Sequence, residues 1–285
     1  MKAERIDGKR ISDEIKDEVA LEIASLQRQG IKPCLAVVLV GNDPASAVYV
    51  RNKKKACERV GILSRAYELG EDTEESELLN LVEQLNLDKS VHGILVQLPL
   101  PPHIDEEKVI FAIDPKKDVD CFHPLNVGLL QTGRRGFVPC TPAGVLALIE
   151  RSGYKVEGKE CVVIGRSHNV GKPIAMLLLQ KNATVTICHS KTRNLKEVCH
   201  RADFIISAVG KIHTVTADMV KEDAVIIDVG MNRNAEGKLC GDVDFEEVGE
   251  VAAAISPVPG GVGLMTVAML MKNCVTAAKI SCRLQ

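Results

Sequence analysis

The chain has 285 residues, enough for one large domain or two of ordinary size. Its 36 basic and 38 acidic residues give a formal net charge of −2, so no global field draws it to nucleic acid or an anionic membrane. Five Phe, three Tyr and no Trp argue against an aromatic-rich single-strand or carbohydrate platform, and 46% hydrophobic with 26% charged residues against a disordered chain.

Residues 1–10 are mixed and charged, unlike a secretory signal, and the longest apolar stretch, 264–280, is interrupted by Lys272, Asn273 and Lys279. A soluble cytoplasmic protein is the expectation. Residues 11–29 carry a helical period closed by Gly30. The unbroken apolar run 34–40 predicts a strand buried on both faces, as in a parallel sheet. Asn42-Asp43-Pro44 predicts a helix start, with the helix running to about Val60 before Gly61. A strand over 63–68, a helix over 74–86 and a strand over 92–97 follow, stopped by Leu98-Pro99-Leu100-Pro101-Pro102. Thr141-Pro142 opens a helix ending near Gly153. Then come a strand at 161–164, a Gly-rich turn, a helix at 172–181, a strand at 184–188, a helix at 194–201, and strands at 204–207 and 225–228. A Gly/Pro loop at 257–263 leads into a closing helix. This alternation is the α/β pattern. It predicts two α/β domains flanking a cleft, the second a Rossmann-type domain, with 1–140 plus about 266–285 in one and 141–265 in the other.

The turn Gly165-Arg-Ser-His-Asn-Val-Gly171 lies between a predicted strand and a predicted helix, where backbone N–H groups and a helix N-terminus can hold a pyrophosphate. Its glycines are six apart, so it is not the usual dinucleotide fingerprint, and an ordinary strand-to-helix turn is the other reading. An NAD-specific fold places an acidic residue roughly 20 residues on, at the end of the next strand. Here that strand ends at Cys188, and His189-Ser190-Lys191-Thr192-Arg193 contains no carboxylate. With Arg166 in the turn, hydroxyls and cations suit a 2′-phosphate, which favours NADP over NAD; the other reading of Lys191 and Arg193 is a merely solvated loop.

Tyr49 and Lys53 are four apart on a predicted helix and share a face. Lys53, Lys54 and Lys55 point about 100° apart, so only one can accompany Tyr49. Crowded ammonium groups lower one another's pKa, which suits a base near neutrality, although the segment alone reads first as a solvated basic face. Gln97 ends an apolar strand, where α/β sheets meet ligands, or is simply a polar strand end. Asp120 is one charge in a loop cluster, a common site of turn chemistry. The ten cysteines stand singly with no CxxC pair, as reduced thiols in a cytoplasmic protein would; Cys188-His189 and Cys199-His200 lack the paired spacing of a zinc site.

Taken together, the segments 49–53, 96–101, 117–120, 165–167, 188–190, 228–230 and 259–263 resemble the bifunctional methylenetetrahydrofolate dehydrogenase/methenyltetrahydrofolate cyclohydrolase family over nearly the whole chain. The resemblance implies oxidation of 5,10-methylenetetrahydrofolate with NADP, hydrolysis of the methenyl product to 10-formyltetrahydrofolate, no metal, and a homodimer formed through the NADP domain. It makes Lys53 the catalytic lysine, Tyr49 its helix partner over the folate ring, Gln97 the amide assisting Lys53 and Asp120 the pterin anchor. Gly165, Arg166, Ser167, Ser190 and Met231 would hold NADP, and Val96, Leu98, Pro259, Gly260, Gly261, Leu264 and Thr266 would border the folate. A dehydrogenase with weakened cyclohydrolase activity and an inactive NADP-binding regulatory homologue are the alternatives; retention of Tyr49, Lys53, Gln97 and Asp120 speaks against the second. Three departures stand out: Cys121 where the family commonly has Gly, Leu264 for Pro, and Asn169 for an apolar residue. If position 121 needs a positive φ, Cys costs roughly 1 kcal/mol there.

Overall fold

The computed structural model describes residues 2–134 and 136–282, and only the main chain of Ala45. Residues 283–285, expected to end the closing helix, lie outside the described residues. In chain order the elements are β1 (Glu4–Arg5), α1 (Gly8–Arg28), β2 (Cys34–Val40), α2 (Pro44–Val60), β3 (Leu63–Leu69), α3 (Glu75–Leu87), β4 (Gly93–Val96), α4 (Glu106–Ala112), α5 (Pro124–Gln131) and α6 (Cys140–Arg151). They continue as β5 (Glu160–Ile164), α7 (Gly171–Gln180), β6 (Thr184–Cys188), α8 (Leu195–His200), β7 (Phe204–Ser207), a 3₁₀ turn (Ala217–Met219), β8 (Val225–Asp228), β9 (Asn232–Arg233), β10 (Leu239–Cys240), α9 (Phe245–Val248), β11 (Ala254–Ile255) and α10 (Val262–Ser281).

The chain forms two compact units. The first, Glu14–Cys140 with the chain from Val267 onward, is built on a parallel sheet of order β3-β2-β4. All seven residues of β2 are buried, as its apolar run predicts, because strands cover both of its edges and helices pack on its faces. The strand order reverses between β2 and β4, so the crevice at their carboxyl ends is the expected ligand position. α2 begins as its sequence predicts: the Asp43 carboxylate accepts from Ser46 N at 2.7 Å, Pro44 takes the first turn, and Gly61 closes the helix at φ 87°. The chain at 117–119 runs beside β4, with Ile94 N donating to Lys117 O at 2.8 Å. Lys117 Nζ donates to the carbonyls of Leu85, Asn86 and Asp88 at 2.8 Å each, placing a cation on the negative end of α3. α4 and α5, seven and eight residues long, do not show in the sequence because a periodicity needs more turns than they have.

The second unit is Thr141–Thr266 with the chain up to Asp13. Its sheet runs β1-β11-β8-β7-β5-β6, parallel at every pairing, with an antiparallel β9–β10 pair outside it. This is a doubly wound order whose direction reverses between β5 and β7. The expected division gave all of 1–140 to the other domain. Residues 2–13 join this unit instead, because Glu4 N donates to Ala253 O at 2.7 Å and Ile6 N to Ile255 O at 3.0 Å. A two-residue strand carries no alternation from which to read that pairing. Cys188 and Cys199, each beside a His, lie buried in this core as small apolar side chains. Among the described residues, no helix is long and apolar enough to cross a membrane.

The first turn of α1 packs against the Gly-rich loop that precedes α10. A Cβ on Gly8 would stand 2.6 Å from Gly260 O, 2.7 Å from Gly261 O and 2.8 Å from Gly261 Cα. Ser12 Oγ donates to Leu264 O at 3.1 Å a turn later. Gly8→Ala gains about 0.5–1 kcal/mol of helix preference, but overpacking against rigid backbone costs about 1–3 kcal/mol. The variant is therefore expected to melt below the wild type by calorimetry; a raised Tm would show that the loop yields freely.

Candidate active site

Gln97 stands one residue past β4, at the carboxyl end of the three-stranded sheet, with its N–H donating to Val38 O at 2.8 Å. Its side-chain Nε2 donates to Leu98 O at 2.7 Å, which turns Oε1 toward α2. There Lys53 Nζ donates to Oε1 at 3.0 Å. Of the three consecutive lysines, Lys53 is half-buried while Lys54 and Lys55 are exposed. The basic segment is thus a solvated face with one member turned inward. Tyr49, one turn earlier, is 37% exposed, and burial of the rest raises its hydroxyl pKa.

The two carboxylates of Lys117-Asp-Val-Asp120 differ because of the donors around them. Buried Asp118 accepts from Phe122 N at 3.2 Å, His123 N at 2.8 Å and Asn126 Nδ2 at 2.8 Å, and so pins the start of α5. Asp120, half-buried, has among the described residues only a long contact from Cys140 Sγ at 3.9 Å. Burial raises its pKa, and the Lys53 ammonium is the strongest influence pulling it back. Asn273, on α10, braces this turn by donating to Val119 O and Val138 O, each at 2.8 Å. Asp120 shares a narrow recess with Val96, Leu98, Asp118 and Phe122. No local pattern marks Asn273 or Phe122; the polar-apolar-polar order of 118–120 is the available signal for Asp118.

In the second unit, Gly165 follows β5 at φ 128°, and a Cβ there would collide with Ala208 O. A Cβ on Gly171 would collide with Gly165 O, so both glycines are needed for the chain to turn this tightly into α7. Ser167 Oγ accepts from Gly171 N at 3.2 Å, while Arg166, Ser167 and Asn169 face solvent around the N-terminus of α7. The loop after β6 is a compact turn, with His189 N on Thr192 Oγ1 at 2.8 Å, and it exposes Ser190, Lys191 and Arg193. Backbone donors, a helix N-terminus and cations without a carboxylate fit a phosphorylated dinucleotide. Met231 is 50% exposed, and a Cβ on Gly263 would lie 3.8 Å from its Sδ. Pro259, Gly260 and Gly261 form the loop under Gly8, and Thr266 Oγ1 lies 2.9 Å from Thr141 Oγ1.

Residues 6–120 match the model of the tetrahydrofolate dehydrogenase/cyclohydrolase catalytic domain, and 139–282 that of the NAD(P)-binding domain of the same family. The chain belongs to this family. It is 62% identical over 277 residues to the bifunctional protein FolD of Agathobacter rectalis, covering 97% of this chain and 99% of that protein. The bifunctional FolD methylenetetrahydrofolate dehydrogenase/cyclohydrolase of Campylobacter jejuni superposes with a TM-score of 0.95 at 51% identity, over 96% of this chain and 98% of that one. The Trypanosoma brucei FolD dehydrogenase-cyclohydrolase, solved with NADP and an inhibitor, gives 0.94 at 39% identity over 99% of each chain.

Within this family the three departures now have a structural setting. Cys121 does take a positive φ, 63°, and its thiol reaches Phe137 O at 3.3 Å in a fully buried position. The left-handed backbone that Gly would adopt without strain is therefore held with a side chain that fills space. Leu264 N donates to Gly261 O at 3.3 Å, a bond that Pro could not make. Asn169 is exposed beside the N-terminus of α7, and nothing in its surroundings explains it.

The balance on Asp120 is measurable. Carbon-detected NMR of the carboxylates should find Asp120 titrating above the ordinary value of about 3.9, and higher still in Lys53→Met, where the compensating positive charge is gone. A midpoint that falls or stays in place in the variant would mean that Lys53 and Asp120 are electrostatically independent.

Proposed function

We propose that this chain oxidises 5,10-methylenetetrahydrofolate with NADP and hydrolyses the resulting methenyl compound to 10-formyltetrahydrofolate. Family membership makes it a bifunctional dehydrogenase and cyclohydrolase. The observation that carries the residue assignment is the Lys53–Gln97 hydrogen bond at 3.0 Å, at the carboxyl end of the sheet where its strand order reverses.

In this reading Tyr49 offers its ring to the flat pterin, with Val96 and Leu98 beside it, and the Asp120 carboxylate accepts hydrogen bonds from the pterin's N–H groups. Gly165, Arg166, Ser167, Ser190 and Met231 hold the dinucleotide, with Lys191 and Arg193 near its 2′-phosphate. Bound NADP supplies the hydride acceptor. For that step the chain's own contribution is to fix the donor carbon by anchoring the pterin, since orientation accounts for much of such a barrier. Hydration needs more. Water adds to the methenyl carbon, a proton leaves that water, and the ring C–N bond then opens to the formyl product. Lys53 Nζ, held by Gln97, takes and returns the protons of this sequence.

A division of labour between the units belongs to the same proposal: folate chemistry on Glu14–Cys140 with the chain from Val267 onward, NADP on Thr141–Thr266 with the chain up to Asp13. So do Pro259, Gly260, Gly261, Leu264 and Thr266 as folate contacts, a homodimer through the NADP domain, and a cytoplasmic location. The reading is tested with purified protein, methylenetetrahydrofolate and NADP, following the methenyl and formyl products separately. Lys53→Met is expected to slow methenyl hydration by about 100-fold or more while NADP still binds. Unchanged hydration would remove Lys53 from the mechanism.

A further inference from the structure

Asp242 carries no role in the site described above, yet its surroundings are the most highly organised of any carboxylate detailed here. It is completely buried. Its Oδ2 accepts from Ser207 Oγ at 3.1 Å, Val209 N at 2.8 Å and Gly210 N at 3.2 Å. Its Oδ1 accepts from Lys211 N and Asn232 Nδ2, both at 2.9 Å. All five contacts are donated to it, four of them from N–H groups that can only donate, so both carboxylate oxygens are occupied.

The carboxylate is itself held from behind. Asp242 N donates to Asp228 Oδ1 at 2.9 Å, and Asp228 also receives Gly230 N and Val243 N at 2.9 Å each. A Cβ on Gly230 would collide with the Asp242 carboxylate, and one on Gly241 with that of Asp228. Two Asp–Gly pairs therefore interlock, each carboxylate occupying the space that the other's glycine leaves open.

What this lock holds is the loop Ala208–Lys211. It leaves β7, and β7 and β5 flank the point where the six-stranded sheet reverses its order. Ala208 N donates to Ile164 O at 2.8 Å, and Ala208 O lies where a Cβ on Gly165 would collide. The loop is thus packed directly on the Gly165 turn. Its amides point inward to Asp242 while Val209 is 40% exposed, so the outer side of the loop is the wall presented to a ligand at the reversal.

We infer that Asp242 is a positioning residue for the dinucleotide: its carboxylate fixes the Ala208–Lys211 loop as one wall of the NADP site. The inference rests on the reading of this unit as the NADP-binding one. It predicts a specific failure in Asp242→Asn. Whichever way the new amide turns, an NH₂ group faces at least one backbone N–H, and the loop must move.

The experiment measures the NADP dissociation constant by calorimetry, together with kcat and the KM values for both substrates. Asp242→Asn is expected to raise the NADP dissociation constant and KM by about tenfold or more, with the KM for methylenetetrahydrofolate within about twofold of wild type. Ser207→Ala, which removes one donor and leaves the carboxylate, is expected to raise the NADP KM by about threefold; it decides the matter if Asp242→Asn does not fold. Unchanged NADP binding in a folded variant, or an equal loss for both substrates, overturns the inference. Wild-type protein that binds NADP without turning over would refute the proposed function and still leave the loop test readable.

Discussion

Gln97 has its side chain committed before any ligand arrives. Its Nε2 donates to the carbonyl of the next residue, Leu98, at 2.7 Å, and that bond dictates which end of the amide meets Lys53. A free amide could present either its oxygen or its nitrogen to an amine. Here only oxygen is offered, so a lysine that would otherwise sample many rotamers is drawn to one place. The geometry depends in turn on where β4 stops. Val96 is the last strand residue, Gln97 N is still tied to Val38 O, and the prolines that follow forbid further pairing. The Lys53–Gln97 pair is therefore a consequence of strand termination in a parallel sheet, with α2 delivering the amine from its inward face.

Buried carboxylates in this chain acquire different tasks from the donors around them. Asp118 has two backbone donors in its own loop and Asn126 on α5, and serves the start of that helix. Asp120, two residues on, has no backbone donor among the described residues, and burial raises its pKa against the pull of Lys53. The long contact from Cys140 Sγ leaves most of its acceptor capacity unfilled. Asp242 is the opposite extreme, with both oxygens filled. Asp228 lies between: burial pushes its pKa up to about 6 although three backbone N–H groups favour its charge. Desolvation is the larger of the two effects there, and the neighbouring Asp242 adds to it.

Much of this was legible in the amino-acid order. The run at 34–40, the Asp43-Pro44 start, Gly61 and the Gly165 turn each have one plain physical reading, and each folds accordingly. Tyr49, Lys53, Gln97 and Asp120 stand out through the family resemblance; their spacing alone leaves them candidates among their neighbours. Only the fold shows that Lys53 rather than Lys54 turns inward, because the phase of a helix against its sheet is a tertiary quantity. The N-terminal residues went to the wrong half since two-residue pairing with β11 leaves no local pattern. Contacts remote in sequence, such as Asn273 on Val119 or Asp242 on Val209, were invisible for the same reason. Phe122, which no local pattern marks, lines the recess with Asp120 and brings an aromatic ring close to that carboxylate.

The central claim is that the Gln97 amide makes Lys53 competent for hydration without taking part in hydride transfer. A rapid-quench single turnover of Gln97→Ala on methylenetetrahydrofolate with NADP, resolving the methenyl and formyl species in time, tests it most directly. The account predicts hydride transfer within about threefold of wild type and hydration slowed by about tenfold or more, so that the methenyl compound accumulates. Hydration at the wild-type rate, or both steps slowed alike, would contradict it.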